Sequence, residues 1–250
     1  MTIKEIESLF ASKCLSAAEV DCFREDERKA VGQVIRRWER AEQEKARVDA
    51  LYEYERSFEA EGRTYIAGVD EAGRGPLAGP VVVAAVILPS GLFLPKINDS
   101  KKLSPKVRDE LYDRIIAQAV AVERAIIDAA TIDRVNIYQA TVNGMYDAIF
   151  GLKPQPSQVL IDAVRLDRLP MPSLPLIKGD AKSASIAAAS IIAKVERDRM
   201  MDEYDKLYPV YGFAQHKGYG TAQHVEALQK YGPCPIHRRS FEPVKSLCEG

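Results

Sequence analysis

A mixed α/β sheet behind a helical N-terminal extension is the fold this sequence predicts. Three observations predict it. Apolar runs of strand length lie at 64–70, 79–88, 120–128, 158–162 and about 174–177. The first two are joined directly and the later ones through helical segments, the alternation that gives a sheet with strands running both ways. Residues 1–62 contain no such run and read as helix throughout.

The elements follow in order. A short helix covers Ile3–Phe10, and Ser16 is placed to cap another at 17–23. From Glu27 to Glu61 there is no proline, and Gly32 is the only glycine. Charges of both signs interleave there (Arg36, Arg37, Glu39, Arg40, Glu42, Glu44, Lys45, Arg47), which predicts one long solvated helix with i,i+4 pairs. Val34, Trp38, Val48, Leu51 and Tyr52 supply an interrupted apolar stripe. Glu61-Gly62 closes the extension, so the division is expected as 1–62 and 63–250. In the body, Ser104-Pro105 is a helix start, a capping residue followed by proline at the first helical position. Thr131 is expected to cap a helix with Val135, Tyr138, Val142, Met145 and Ile149 on one face. The clearest helix spans 184–206, ASIAAASIIAKVERDRMMDEYDK. Its small-residue half can lie close to a sheet, and its charged half should leave the core. From Tyr208 onward, Pro209, Gly212, Gly218, Gly220, Gly232, Pro233 and Pro235 predict a loop-rich segment.

Composition narrows the function. Charges nearly cancel, 35 Lys/Arg against 36 Asp/Glu, so any affinity for nucleic acid must come from local arrangement. Residues 1–63 hold 12 Lys/Arg and 15 Asp/Glu, leaving 23 and 21 for the rest, a body only slightly basic. Cys14, Cys22, Cys234 and Cys248 show no C-x-x-C spacing and follow no signal peptide, which predicts incidental thiols in a reduced, cytoplasmic protein. The longest apolar stretches, near 81–88 and 186–193, fall far short of the ~20 residues that span a bilayer.

Four acids sit where an apolar or rigid segment meets a loop. Asp70 and Glu71 end the first strand, Asp162 ends VLIDA, and Asp180 lies just before the small-residue helix. Acids at the ends of several elements can converge on one point, and hard divalent cations take oxygen ligands. A pair of such ions can activate water and stabilise a leaving oxygen at phosphate. Neighbours on a regular strand point to opposite faces, so Glu71 is expected where the strand breaks toward Ala72-Gly73, or else to contribute its backbone carbonyl. Taken singly, each acid is more simply a cap or turn former; it is their joint appearance beside a glycine-basic turn that points to a site. Gly73-Arg74-Gly75 suits close backbone approach to a sugar or phosphate, or is an ordinary turn. Lys101 and Lys102 can contact phosphate or simply occupy a solvated loop. His216, Lys217 and Tyr219 place an aromatic ring between basic groups, which fits stacking on a sugar or base. Arg197, Arg199, Arg238 and Arg239 either extend a phosphate track or face water.

These residues closely resemble bacterial ribonuclease HII over about 64–245. The blocks GVDEAGRGPLAGPVVVAAVIL, NDSKKLS, VLIDA, KGDAKSASIAAASIIAKVERDRMM and HKGYGT occur in the family's order. The resemblance implies a ribonuclease H-like mixed sheet flanked by helices, followed by a substrate-recognition segment. It also implies endonucleolytic hydrolysis of RNA in RNA/DNA hybrids, and cleavage 5′ to ribonucleotides embedded in duplex DNA. Asp70, Glu71, Asp162 and Asp180 fall on the family's active-site acids, which hold Mg²⁺ or Mn²⁺ and activate water. Gly73, Arg74 and Gly75 fall on its motif for sensing the 2′-hydroxyl, the group that separates RNA from DNA. Tyr219 falls on its junction-stacking tyrosine, and Lys101, Lys102 and Lys182 look like phosphate contacts. Ribonuclease HIII shares the fold but lacks the GRG motif and this tyrosine. The family's clamp-binding tail, a glutamine followed by paired aromatics, is not visible in SFEPVKSLCEG, so no sliding-clamp partner is expected by that route. A monomer that engages no membrane is expected. The alternative is a non-catalytic hybrid-binding module, which would need the basic and aromatic positions but not the acids.

Overall fold

The computed structural model describes residues 1–12 and 15–249, so the expectation for Cys14 lies outside the described residues. Cys22, Cys234 and Cys248 are free thiols. The chain forms two compact units, Met1–Ala50 and Leu51–Gly250.

The first unit is all helix: α1 (Ile3–Ser12), α2 (Ala17–Arg24) and α3 (Lys29–Ala50). Ser16 caps α2 in a reciprocal capping box with Glu19, which satisfies two backbone donors at once. Ile6, Phe10, Leu15, Val20, Val31, Val34 and Ile35 form its core, with Trp38 edge-on to Phe10 at 5.8 Å. The single helix expected over 27–61 is two. It breaks at Leu51-Tyr52, and α4 (Glu53–Ala60) opens the second unit. No proline or glycine marks the break. Its cause lies in burial, because Leu51 and Tyr52 are both in the interior and the Tyr52 hydroxyl donates to the Leu92 carbonyl at 2.8 Å.

In the second unit, five strands form one sheet in the order β3-β2-β1-β4-β5. They are β1 (Ile66–Ala72), β2 (Val81–Ile87), β3 (Ala121–Ile127), β4 (Gln158–Asp162) and β5 (Ser173–Leu176). The β1/β2 and β2/β3 pairs are antiparallel, while β1/β4 and β4/β5 are parallel, as the mixed sheet requires. The intervening helices are α5 (Pro105–Gln118), α6 (Ala129–Val135) and α7 (Ile137–Gly151). Thr131 does not start a helix. Asp128 caps α6 and Asn136 caps α7, and Asn136 at φ 69° divides what the apolar pattern joined. The helix α8 (Ala184–Leu207) is followed by α9 (Phe213–His216), α10 (Ala222–Tyr231) and α11 (Val244–Glu249), so the C-terminal part is more helical than its glycines and prolines suggest. Thr221 caps α10 through the His224 amide.

Strand alternation sends Ala67 and Val69 into the core with Met145, Ala148 and Ile149 of α7. Ile66 and Gly68 face α8 instead. A Cβ on Gly68 would lie 2.0 Å from the Ser185 carbonyl carbon and 2.2 Å from the Ile186 nitrogen, so backbone packs directly on backbone there. The small-residue half of α8 is fully buried, as expected, and its charged half leaves the core on one face only: Arg199, Glu203 and Lys206 are exposed, while Arg197 and Met201 stay buried. Among the described residues no helix is long and apolar enough to cross a membrane.

Candidate active site

Two parallel strands carry the first acids. The β1/β4 register pairs Val69 with Ile161, so one residue further on Asp70 lies beside Asp162, which ends β4. Carboxyl ends of strands are where open α/β sheets present their chemistry. Asp162 accepts from the Gly179 amide at 2.6 Å, which fixes the short 3-10 turn Gly179–Ala181 that carries Asp180. Ser183 then caps α8 through the Ile186 amide at 3.2 Å. The expected strand break at Glu71 does not occur. Glu71 pairs with Val83 and Ala72 with Val82, so β1 runs past both acids before Gly73 ends it. Asp70 is almost fully buried and accepts from the Glu71 amide at 2.7 Å.

The four acids are close enough for their charges to interact. Burial, and then the charges of Glu71 and Asp162, push Asp70 well above the usual carboxylate range, against the opposing Glu71 amide and Ser190 hydroxyl. Glu71 is raised by burial, with Arg74 opposing; the Arg74 guanidinium stands 3.4 Å from it. Asp180 is raised by burial and by Asp99 and Asp162, with Lys101 opposing. Among the described residues, no three Asp, Glu, His or Cys side chains are drawn into a closed cage. A Mg²⁺-type ion does not need one, since it keeps several waters and is bound through one or two carboxylates plus substrate oxygens. The residues fit such an ion. Their donors are all oxygen, and Glu71 Oε2 is buried with no hydrogen-bond donor of its own.

Beside the acids lies a cleft of about 200 Å³ lined by Glu71, Gly73, Arg74, Gly75, Lys101 and Tyr219, among others. It gathers seven of the residues singled out in the sequence, Arg197 being the seventh. Gly73 has φ 97°, and a Cβ there would fall 2.0 Å from Arg197 Nε and 2.7 Å from the Pro80 carbonyl, so only glycine fits. Gly75 is open, its nearest neighbour the Tyr219 ring at 3.8 Å, and that ring is 43% exposed. Lys102 and Lys182 are exposed and do not line the cleft; the Lys102 ammonium stands 4.0 Å from Asp99.

The basic residues need correction. Arg197 and Arg238 neither track a backbone nor face water; both are buried and clamp the loop from behind. Arg197 donates to the carbonyls of Pro80, Ala78 and Lys217, and Arg238 to those of Gly73, Arg74 and Gly79. Arg199 lies over the Tyr112 ring at 4.4 Å and pairs with Asp109. The Arg239 amide binds Asp133. His216 is buried and Lys217 pairs with Asp202, which leaves Tyr219 alone of its motif at the cleft. Sequence reasoning also missed Ser190 and Asp99, which act on Asp70 and Asp180; Asp99 stood in view inside NDSKKLS.

Comparison with known proteins shows which family this chain resembles. The family model "Ribonuclease HII" matches residues 67–244, and "Ribonuclease HII N-terminal domain" matches 2–62. A ribonuclease HII of Bacillus cereus is 50% identical over 256 residues, covering 100% of this chain and 98% of its own. That of Geobacillus kaustophilus is 50% identical over 250 residues, covering 98% and 96%. Among solved structures, the ribonuclease H2 of Pyrococcus horikoshii aligns with a TM-score of 0.65 at 27% identity, over 74% of this chain and 98% of that one. RNase HII of Archaeoglobus fulgidus, solved in complex with PCNA, aligns at 0.60 and 26%, over 72% and 96%.

Proposed function

The chain belongs to the ribonuclease HII family, and from that premise we propose how its own residues carry out the reaction. It is an endoribonuclease that hydrolyses the RNA strand of RNA/DNA hybrids in a divalent-metal-dependent reaction. Our reading extends this to cleavage 5′ to single ribonucleotides embedded in duplex DNA, leaving a 3′-hydroxyl and a 5′-phosphate. The observation that supports it is Asp70, Glu71, Asp162 and Asp180 near enough for their charges to interact, with Glu71 reaching a cleft walled by Gly73–Gly75 and Tyr219.

In this reading Asp70, Glu71, Asp162 and Asp180 hold Mg²⁺ or Mn²⁺. When bound, such ions supply Lewis-acid activation of water and stabilise the leaving oxygen. The protein's part is placement. Gly179 and Ser190 orient two of the acids, and the Gly73–Gly75 backbone, unobstructed at Gly75, approaches the 2′-hydroxyl. Tyr219 stacks on the deoxyribose that follows, while Arg74 and Lys101 meet phosphate, with Lys102 and Lys182 reaching it from solvent. A module that only bound hybrids would gain nothing from gathering carboxylates where burial raises them. We further propose that the enzyme works as a cytoplasmic monomer.

The test is incubation with a DNA duplex bearing one ribonucleotide. Cleavage on its 5′ side is expected with Mg²⁺ or Mn²⁺, lost in chelator and restored by adding the metal back. No cleavage with either metal, under conditions where a long hybrid is cut, would remove the single-ribonucleotide reading.

A further inference from the structure

All three histidines of the chain meet beneath Tyr219, and the mechanism above uses none of them. The His216 and His224 rings stack at 4.4 Å, and Tyr211 and Phe213 pack against the group. Two backbone amides decide every proton position. The Gly218 amide donates to His216 Nδ1 at 3.2 Å, so His216 carries its proton on Nε2 and gives it to the Tyr211 carbonyl at 2.8 Å. The Cys234 amide donates to His237 Nδ1 at 2.9 Å, so His237 donates from Nε2 to His224 Nε2, also at 2.9 Å. His224 is thereby left to donate from Nδ1 to the Tyr219 carbonyl at 2.9 Å. The Tyr219 amide donates back to the His216 carbonyl at 2.9 Å. The same platform is joined to the glycine loop: the Leu77 amide donates to the Gly218 carbonyl at 2.8 Å, and Ala78 bridges His237.

We propose that His237 and His224 form a neutral, one-directional hydrogen-bond relay onto the Tyr219 carbonyl, with the His216 ring stacked on it, that positions Tyr219 against the glycine loop, so that junction recognition requires both relay imidazoles uncharged. The proposal rests on the reading of Tyr219 given above. A proton added to any ring would set two donors face to face: at Gly218 for His216, at His237 for His224, at Cys234 for His237. The titratable groups around the rings are the Tyr211 phenol, which donates to the Gly232 carbonyl, the Cys234 thiol, and Tyr204 and Tyr208 at the end of α8. Arg197 and Arg238 point to carbonyls, and among the described residues no acidic side chain acts on His224 or His237. Burial pushes both down to about 4. A folded-state value below the unfolded one means the stabilisation is complete above pH 6.5 and is lost as pH falls through about 4.

Three imidazoles give three resolvable patterns in long-range ¹H–¹⁵N spectra of the labelled full-length protein. Nδ1–H is expected for His224 and Nε2–H for His216 and His237, with His224 and His237 neutral down to about pH 5 and the Tyr219 amide shifting as they titrate. Other tautomers, or titration of either ring near 6.5, would overturn the proposal. Kinetically, His237→Leu should raise KM for a single-ribonucleotide duplex about tenfold with kcat held within about threefold. His237→Gln, whose amide can still donate to His224, should bring KM back to within about threefold of the parent. An unchanged KM in the leucine variant would equally overturn it. If that variant does not fold, the spectra of the parent decide alone. Tyr219→Ala separates the two readings: unaltered cleavage there would remove Tyr219 from recognition, whereas the tautomers stand or fall on the spectra.

Discussion

At the scale of single residues, Asp70 is a strained position whose strain has a purpose. Its raised pKa means the folded state holds a proton more tightly than the unfolded chain, so its contribution favours folding at low pH and is lost as pH rises through the raised value. Asp70→Asn keeps an oxygen for the Glu71 amide and cannot ionise. It should abolish cleavage, by about a thousandfold or more. The same change should raise the melting temperature at pH 7 by roughly 2–4 °C, about 1 kcal/mol for a chain of this size, with the gain vanishing on acidification. Calorimetry on both proteins from pH 3 to 8 checks the sign; a lower melting temperature at pH 7 would contradict the cost of a buried charge at this position. Gly73→Ala forces a methyl group onto a buried, clamped guanidinium at φ 97°. A loss of about 1–3 kcal/mol in urea unfolding is expected, with single-ribonucleotide cleavage falling more than cleavage of a long hybrid. Asp162, Asp180 and the glycine loop stood out in the sequence because each lies where an element ends or begins, whereas Asp70 and Glu71 lie within a strand that continues past them. The roles of Arg197 and Arg238 were not legible, since a buried arginine satisfied by carbonyls has no local signature distinguishing it from a solvated one.

Among the elements, α8 governs the site. It seats on β1 through Gly68, carries Ser190 to Asp70, and begins where Asp180 ends. Gly68→Ala cannot be absorbed by a side-chain rotation, because the opposing atoms are backbone. Loss of about 3 kcal/mol is expected, with activity falling as α8 shifts from the acids. The start of α8 has a second support: Glu55 of α4 accepts from the Ser183 hydroxyl at 2.7 Å and the Ser185 amide at 3.0 Å. A carboxylate at a helix N-terminus also answers its dipole. Glu55→Ala should cost about 0.5–2 kcal/mol by chemical denaturation, and Glu55→Gln less, because its amide oxygen still accepts. The sequence disclosed the strands and α8, whose apolar runs are unambiguous. It concealed the breaks at Leu51-Tyr52 and Asn136 and the helix α10. The first depends on tertiary burial, the second on one residue adopting positive φ, and the third on a helix of modest length hidden among glycines and prolines.

For the whole molecule, the compact units divide at Ala50 and Leu51, whereas the N-terminal family model extends to residue 62. That difference is testable, because Tyr52 and Glu55 bond within the second unit. Removing residues 1–50 should leave the melting of the remainder cooperative and its cleavage of hybrids intact. Removing 1–62 should lower the melting temperature by several degrees more; equal behaviour of the two truncations would deny α4 its place in the body. The net charge of −1 gives the protein no general attraction for a polyanion. Yet Arg197 and Arg238 lie behind the glycine loop with no described carboxylate within ion-pair distance. Burial lowers Arg238 only to about 9, so it stays cationic at neutral pH. Dissolved electrolyte screens exposed charges over roughly 8 Å at physiological ionic strength but cannot penetrate close-packed interior. Grip on a cleavage junction should therefore decline with added potassium chloride toward a plateau instead of vanishing, an anchoring voltage sealed inside the enzyme.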